Sequence, residues 1–132
     1  MNSTFTNQIK EHIKRDDIEW IKYHVHSNNL SDDENTNPLH YACACCAIQC
    51  IMYFIDIGYN CKEQDDITTP LNYLITNWRG KINQSLTAVI KRLIANGADP
   101  NIRDNDCNET AMDCVRTTHP SEINDYFLIL YS

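Results

Sequence analysis

Two phrases recur in a fixed order along the chain, and no other feature restricts the possible folds as strongly. "NPLHYA" at 37–42 returns as "TPLNYLI" at 69–75 and, weakened, as "ETAMDCV" at 109–115. A second phrase follows each of the first two, "IMYFIDIGYN" at 51–60 and "IKRLIANGADPN" at 90–101. Such alternation marks a stacked architecture, in which one supersecondary unit buries its apolar face only against its neighbours.

Local chemistry explains each phrase. Thr69 is placed to cap a helix by accepting a backbone N–H, and Pro70 follows at the first helical position, where a missing N–H is not needed; Asn37 and Pro38 repeat the pattern. Leu39 and Leu71 open apolar stripes of helical spacing, and Gly58 and Gly97 stand where a left-handed residue closes a second helix. Between units lie "YNCKEQDDITT" and "ADPNIRDNDCNE", rich in Asn, Asp and Thr and without helical periodicity, which predicts projecting turns. At the N-terminus Ile9 and Ile13, then Ile18, Ile21 and Val25, fit a first helix pair from Phe5 to Leu30 that caps the stack. At the other end Ala111 and Met112 fit one helix, and Pro120 starts another. Ile123, Phe127 and Leu130 are expected to face inward, with Glu122, Asn124 and Asp125 on a polar outer side.

The order of "NPLH" or "TPLN", a short helix, a second helix and Gly97-Ala98-Asp99-Pro100-Asn101 resembles the ankyrin repeat, clearly over residues 36–118 and more weakly at both ends. The resemblance implies an all-α solenoid of about four helix-turn-helix repeats with projecting β-turn fingers. A single domain over 1–132 would divide near 3–34, 35–66, 67–107 and 108–132. Two departures stand out. "TNWRGKINQSLT" makes the third unit about seven residues longer than the second, through an extended first helix or an added loop. Asp16 and Cys46 occupy the inter-helix turn where the family usually has Gly, and neither removes the steric cost of a positive φ. Similar lengthening is known in ankyrin proteins of large DNA viruses, and the Asn, Ile and Tyr usage suits an A/T-rich genome.

Composition narrows the function. The 18 Asp and Glu outnumber the 11 Lys and Arg, for a net charge of −7; a phosphate backbone or an anionic membrane would be repelled, so neither nucleic acid nor membrane is an expected partner. The most apolar window, from Tyr41 to Ile57, is interrupted by Gln49 and Asp56 and does not read as a membrane span. "MNSTFTNQIKEHIKRDD" lacks the apolar core and cleavage site of a secretory signal. With seven cysteines, an odd number, reduced thiols in a cytoplasm or nucleus are expected, in the host cytoplasm if the source is a virus or intracellular pathogen.

"NPLHYACACC" gathers three of the cysteines and raises the alternative of a small metal-binding or redox protein. A closed zinc site wants four ligands, commonly two close pairs. Here Cys43 and Cys46 form the one usefully spaced pair, with no second C-x-x-C to match. In register with the ankyrin pattern Cys43 takes a small packing position, Cys50 an apolar one, and Cys45 and Cys46 lie by the turn. His40 matches the family histidine that ties a helix start to the adjacent finger, and Asn72 replaces it in the next unit. His12, His24, His26 and His119 are scattered, and nothing marks a Cys-His nucleophile pair. Three glycines supply no phosphate loop. The pairs Asp16-Asp17, Asp32-Asp33 and Asp65-Asp66 lack the alternating ligands of a calcium loop. No cofactor, metal or catalytic residue is therefore expected.

What remains is a surface. The resemblance implies a non-catalytic module whose partner protein is held by finger tips and by the exposed flank of the first helices; short ankyrin proteins of pathogens often divert host proteins in this way. The matching finger positions are Asp33 and Glu34, then Gln64, Asp65, Asp66 and Ile67, then Arg103, Asn105 and Asp106. Ala44, Cys45 and Asn77 match the helix flank. The acidic fingers favour a partner with a basic segment. Trp78 and Arg79, in the longer stretch, are of the types enriched among interface anchors, although Trp78 could equally cover the third unit.

Overall fold

The computed structural model describes residues 3–26 and 38–132. Helices come in four consecutive pairs: α1 (Ser3–Lys14) with α2 (Ile18–His24), α3 (Pro38–Ala44) with α4 (Ile48–Asp56), α5 (Pro70–Asn77) with α6 (Gln84–Ala95), and α7 (Ala111–Thr118) with α8 (Ile123–Tyr131). A 3-10 turn, Pro120–Glu122, precedes α8. No strand occurs among the described residues, and no helix there is long and apolar enough to cross a membrane.

The pairs stack in two rows. α1 touches α3, α3 touches α5 and α5 touches α7, while α2, α4, α6 and α8 form the second row in the same order. Apolar residues at helical spacing drive the stacking: Leu39, Leu71, Leu74 and Ile75 are sealed in the first row, and Cys50, Ile51, Phe54, Leu86, Val89, Ile90 and Leu93 in the second. Ile9, Ile13, Ile21 and Val25 join the same core from the first pair. Cross-links follow the rows: the Tyr53 hydroxyl donates to Val25 O at 2.6 Å, and Arg92 on α6 pairs with Asp56 on α4.

Helix ends are set as the phrases require. Thr69 Oγ1 accepts from Asn72 N with Pro70 at the first position of α5, Asn83 caps α6, and Thr110 with Asp113 forms a reciprocal capping box on α7. Gly58 and Gly97, at φ 101° and 113°, end α4 and α6 in the left-handed region. Asn37 lies outside the described residues.

Of the two alternatives for the longer third unit the added loop is the one that forms, and two further expectations change. The extra length of the third unit does not extend its first helix appreciably: α5 has 8 residues against 7 in α3. It goes instead into the connector 78–83, against 45–47 in the second unit, and into α6, which has 12 residues against 9 in α4. In α8 Phe127 does not face inward. It is 52% exposed, while Tyr126 is fully buried with Leu130. Spacing allows either residue; it is Tyr126 that enters the core, its ring packed on His119 with centroids 5.1 Å apart. Nor is the outer side of the last pair polar, because Phe127, Leu128 and Tyr131 stand exposed beside Asn124 and Asp125, and Glu122 turns inward.

Candidate functional site

The two fingers among the described residues, before α5 and before α7, are joined to one another. In the finger before α5, the Asp65 carboxylate accepts from Ile67 N at 2.8 Å, Thr68 N at 2.9 Å and the Tyr73 hydroxyl at 2.6 Å. Asp104 plays the same part in the next finger, accepting from Cys107 N and Glu109 N on one oxygen and from the Thr68 hydroxyl on the other. This Thr68 to Asp104 bond is buried and crosses between fingers. Gln64 crosses too, donating to Arg103 O at 3.1 Å and accepting from Asn105 N at 2.8 Å, while Asn105 Nδ2 donates to Asp65 O and Asp106 N to Ile67 O.

The electrostatics follow from these bonds. Burial works against ionisation of Asp65, but the Tyr73 hydroxyl and the two N–H groups outweigh it and hold its carboxyl below the usual range. Asp104 is lowered in the same way, with the Glu109 and Cys107 N–H groups overcoming burial. Both are therefore fixed anions at neutral pH, committed to the finger scaffold.

Below the fingers a polar row ties helix starts to them. His40 Nε2 meets Glu63 O at 2.6 Å, and Asn72 Nδ2 donates to Glu109 O at 3.4 Å. Burial lowers the His40 pKa, which keeps the ring neutral and suits a structural tie. His119 is buried as well, its Nε2 2.9 Å from Ile75 O, and Glu122 accepts from Ile82 N, so the last pair grips the third.

Against this frame the fourteen residues singled out from the sequence fall into groups. Asp33 and Glu34 lie outside the described residues. Gln64, Asp65 and Asn105 are brought together, as members of the finger-to-finger network. Asp66, Ile67 and Asp106 are exposed at the tips, Ile67 by 48%. Arg103 is exposed, donates to Asn108 O at 3.0 Å and comes within 3.7 Å of Asp113. On the helix flank Ala44, Cys45 and Asn77 are half-buried, and Asn77 Nδ2 donates to Tyr73 O. Trp78 is half-buried against the core and its Nε1 donates to Lys81 O at 3.2 Å, whereas Arg79 is exposed. Reasoning from sequence missed Asp104, Thr68 and Tyr73. The only signal was the Asp-x-x-Thr of 65–68, a turn pattern with a self-capping acid.

All seven thiols are shifted upward: burial pushes up Cys43, Cys45, Cys46, Cys50, Cys61 and Cys114, Cys46 and Cys114 to about 11, and a hydrogen bond to Asp106 raises Cys107. Thiolate, not thiol, is the reactive and metal-binding form. Among the described residues Asp104, Glu109 and Cys114 are the one group close enough to share an ion. There Asp104 already accepts from Cys107 N, Glu109 N and the Thr68 hydroxyl, and burial pushes the Cys114 thiol up.

A two-row stack of paired helices with hydrogen-bonded fingers on one side defines a helical solenoid of the kind built for binding. The family model for ankyrin repeats, written for three copies, matches residues 11–104, well over half of the chain, and the protein belongs to that family. No curated protein matches the chain. Ankyrin repeats generally serve as protein-protein interaction modules and are typically non-catalytic.

Proposed function

We propose that the chain, as a single domain over 1–132, is a non-catalytic module that captures another protein through the tips of its fingers, aided by the flank of the first helices at Ala44, Cys45 and Asn77. The observation that carries the reading is the exposure of Asp66, Ile67 and Asp106 on two fingers already hydrogen-bonded to each other. A surface fixed before the partner arrives loses little conformational freedom on binding. Asp66 and Asp106 flank the apolar Ile67, an arrangement suited to a basic segment carrying an aliphatic or aromatic side chain. Capture of a host factor in a host cytoplasm is the form this takes if the source is a virus or intracellular pathogen. The test is a quantitative pull-down from cell lysate comparing wild type with Asp66→Asn/Asp106→Asn. A basic protein retained by wild type and depleted with the double variant supports the reading. An identical set of retained proteins places binding elsewhere.

A further inference from the structure

Asn96 is the one asparagine in the chain that is followed by glycine. It caps the C-terminus of α6, and both Asn96 and Gly97 are exposed to solvent. Gly97 carries no side chain to shield its own amide nitrogen from the preceding carboxamide. In the closed turn both groups are engaged: Asn96 Nδ2 donates to Arg92 O at 2.8 Å, and Gly97 N donates to Ile94 O at 3.1 Å.

We propose that Asn96-Gly97 is a site of spontaneous covalent modification, gated by opening of the last turn of α6. With those two bonds released, Gly97 N attacks Asn96 Cγ. The N–Cγ bond forms, the Cγ–Nδ2 bond breaks, and the side-chain nitrogen leaves as ammonia with the proton of the Gly97 amide. Water then opens the cyclic imide at either carbonyl, which leaves an aspartyl or an isoaspartyl unit in place of Asn96. Helix ends open at a free-energy cost below that of global unfolding, so the reactive turn is visited while the stack stays folded.

Neither product refits the turn. An aspartyl side chain cannot donate to Arg92 O and sets a negative charge against the carbonyls that end α6. An isoaspartyl link adds a main-chain atom before Gly97, where the N–H groups of Gly97 and Ala98 close the helix on Ile94 O and Leu93 O. The finger before α7 hangs from this turn: Ala98 is buried, and Pro100 O accepts from Ala111 N at 3.3 Å across the base of the finger. The modification therefore loosens the finger whose Asn105 and Asp106 N–H groups bond Gln64 Oε1 and Ile67 O, whatever that finger binds.

Ageing the purified protein at mildly alkaline pH, with peptide mapping by mass spectrometry and enzymatic detection of isoaspartate, tests the inference. Asn96 is expected to convert ahead of every other asparagine in the native protein. In urea that unfolds the chain, where neither hydrogen bond protects it, conversion should be on the order of tenfold faster or more. Asn96→Gln, which would have to close a larger ring, should resist conversion with helical circular dichroism unchanged. In the modified fraction, hydrogen exchange at Asn105 and Asp106 should be faster than in the unmodified one. Conversion of other asparagines while Asn96 stays intact overturns the inference, as does a native rate equal to the rate in urea. Unchanged exchange at Asn105 and Asp106 overturns the coupling to the finger.

Discussion

Asp16 shows how one residue can break a repeat rule and be compensated elsewhere. It holds φ at 51°, a region that an L side chain occupies at a cost of roughly 1 kcal/mol. Its carboxylate accepts from Cys50 N at 2.9 Å and Gln49 N at 3.1 Å, thereby capping α4 of the following pair, whose own N-cap, Ala47, makes no side-chain bond. Asp16→Ala keeps the strain and removes the cap, so it should lower unfolding free energy by about 1–2 kcal/mol. Asp16→Asn, which tolerates the left-handed region and can still accept, should cost less than half of that. Urea denaturation of the two variants checks both values, and an Asp16→Ala protein as stable as wild type would contradict the capping role. The misfit of Asp16 and Cys46 with the family glycine was legible in the sequence, and both do adopt positive φ. The cap was not legible, because it links residues more than thirty positions apart and no local pattern announces it.

At the scale of elements, the connector 78–83 is the clearest case of sequence reasoning reaching a fork. Trp78 read equally as interface anchor or as cover, since its type and place suit both. The structure gives it a half-buried position with its indole N–H closing the connector onto Lys81 O, and Ile82 N bonds Glu122 of the last pair. Emptying a fully buried Trp to Ala costs about 3–5 kcal/mol; for a half-buried one, Trp78→Ala should cost about 2 kcal/mol. Thermal and denaturant unfolding would register that loss, with partner affinity little changed. Intact stability with affinity lost would instead make Trp78 an anchor. The register of α8 was ambiguous for a related reason, since Tyr126 and Phe127 both satisfy helical spacing and only tertiary packing, which includes the His119 ring, chooses between them.

For the whole molecule, the recurring phrases made the helix pairs, the Thr69 cap, the glycine stops at 58 and 97 and the order of the pairs readable without coordinates, because each depends on neighbours a few residues away. The joining of the fingers was not, because Gln64, Thr68, Asn105 and Asp104 meet only once the pairs stack. That joining divides the acidic residues of the fingers: Asp65 and Asp104 are held inside the scaffold, while Asp66 and Asp106 stay exposed. The measurement that tests this most directly is the association rate of the captured partner as a function of ionic strength, by stopped flow, for wild type and for Asp66→Asn/Asp106→Asn. Electrostatic steering predicts a wild-type rate that falls steeply as salt rises and a double variant that is slower at low salt with a shallower slope, the two converging at high salt. Rates that respond neither to salt nor to the substitutions would contradict binding at the finger tips.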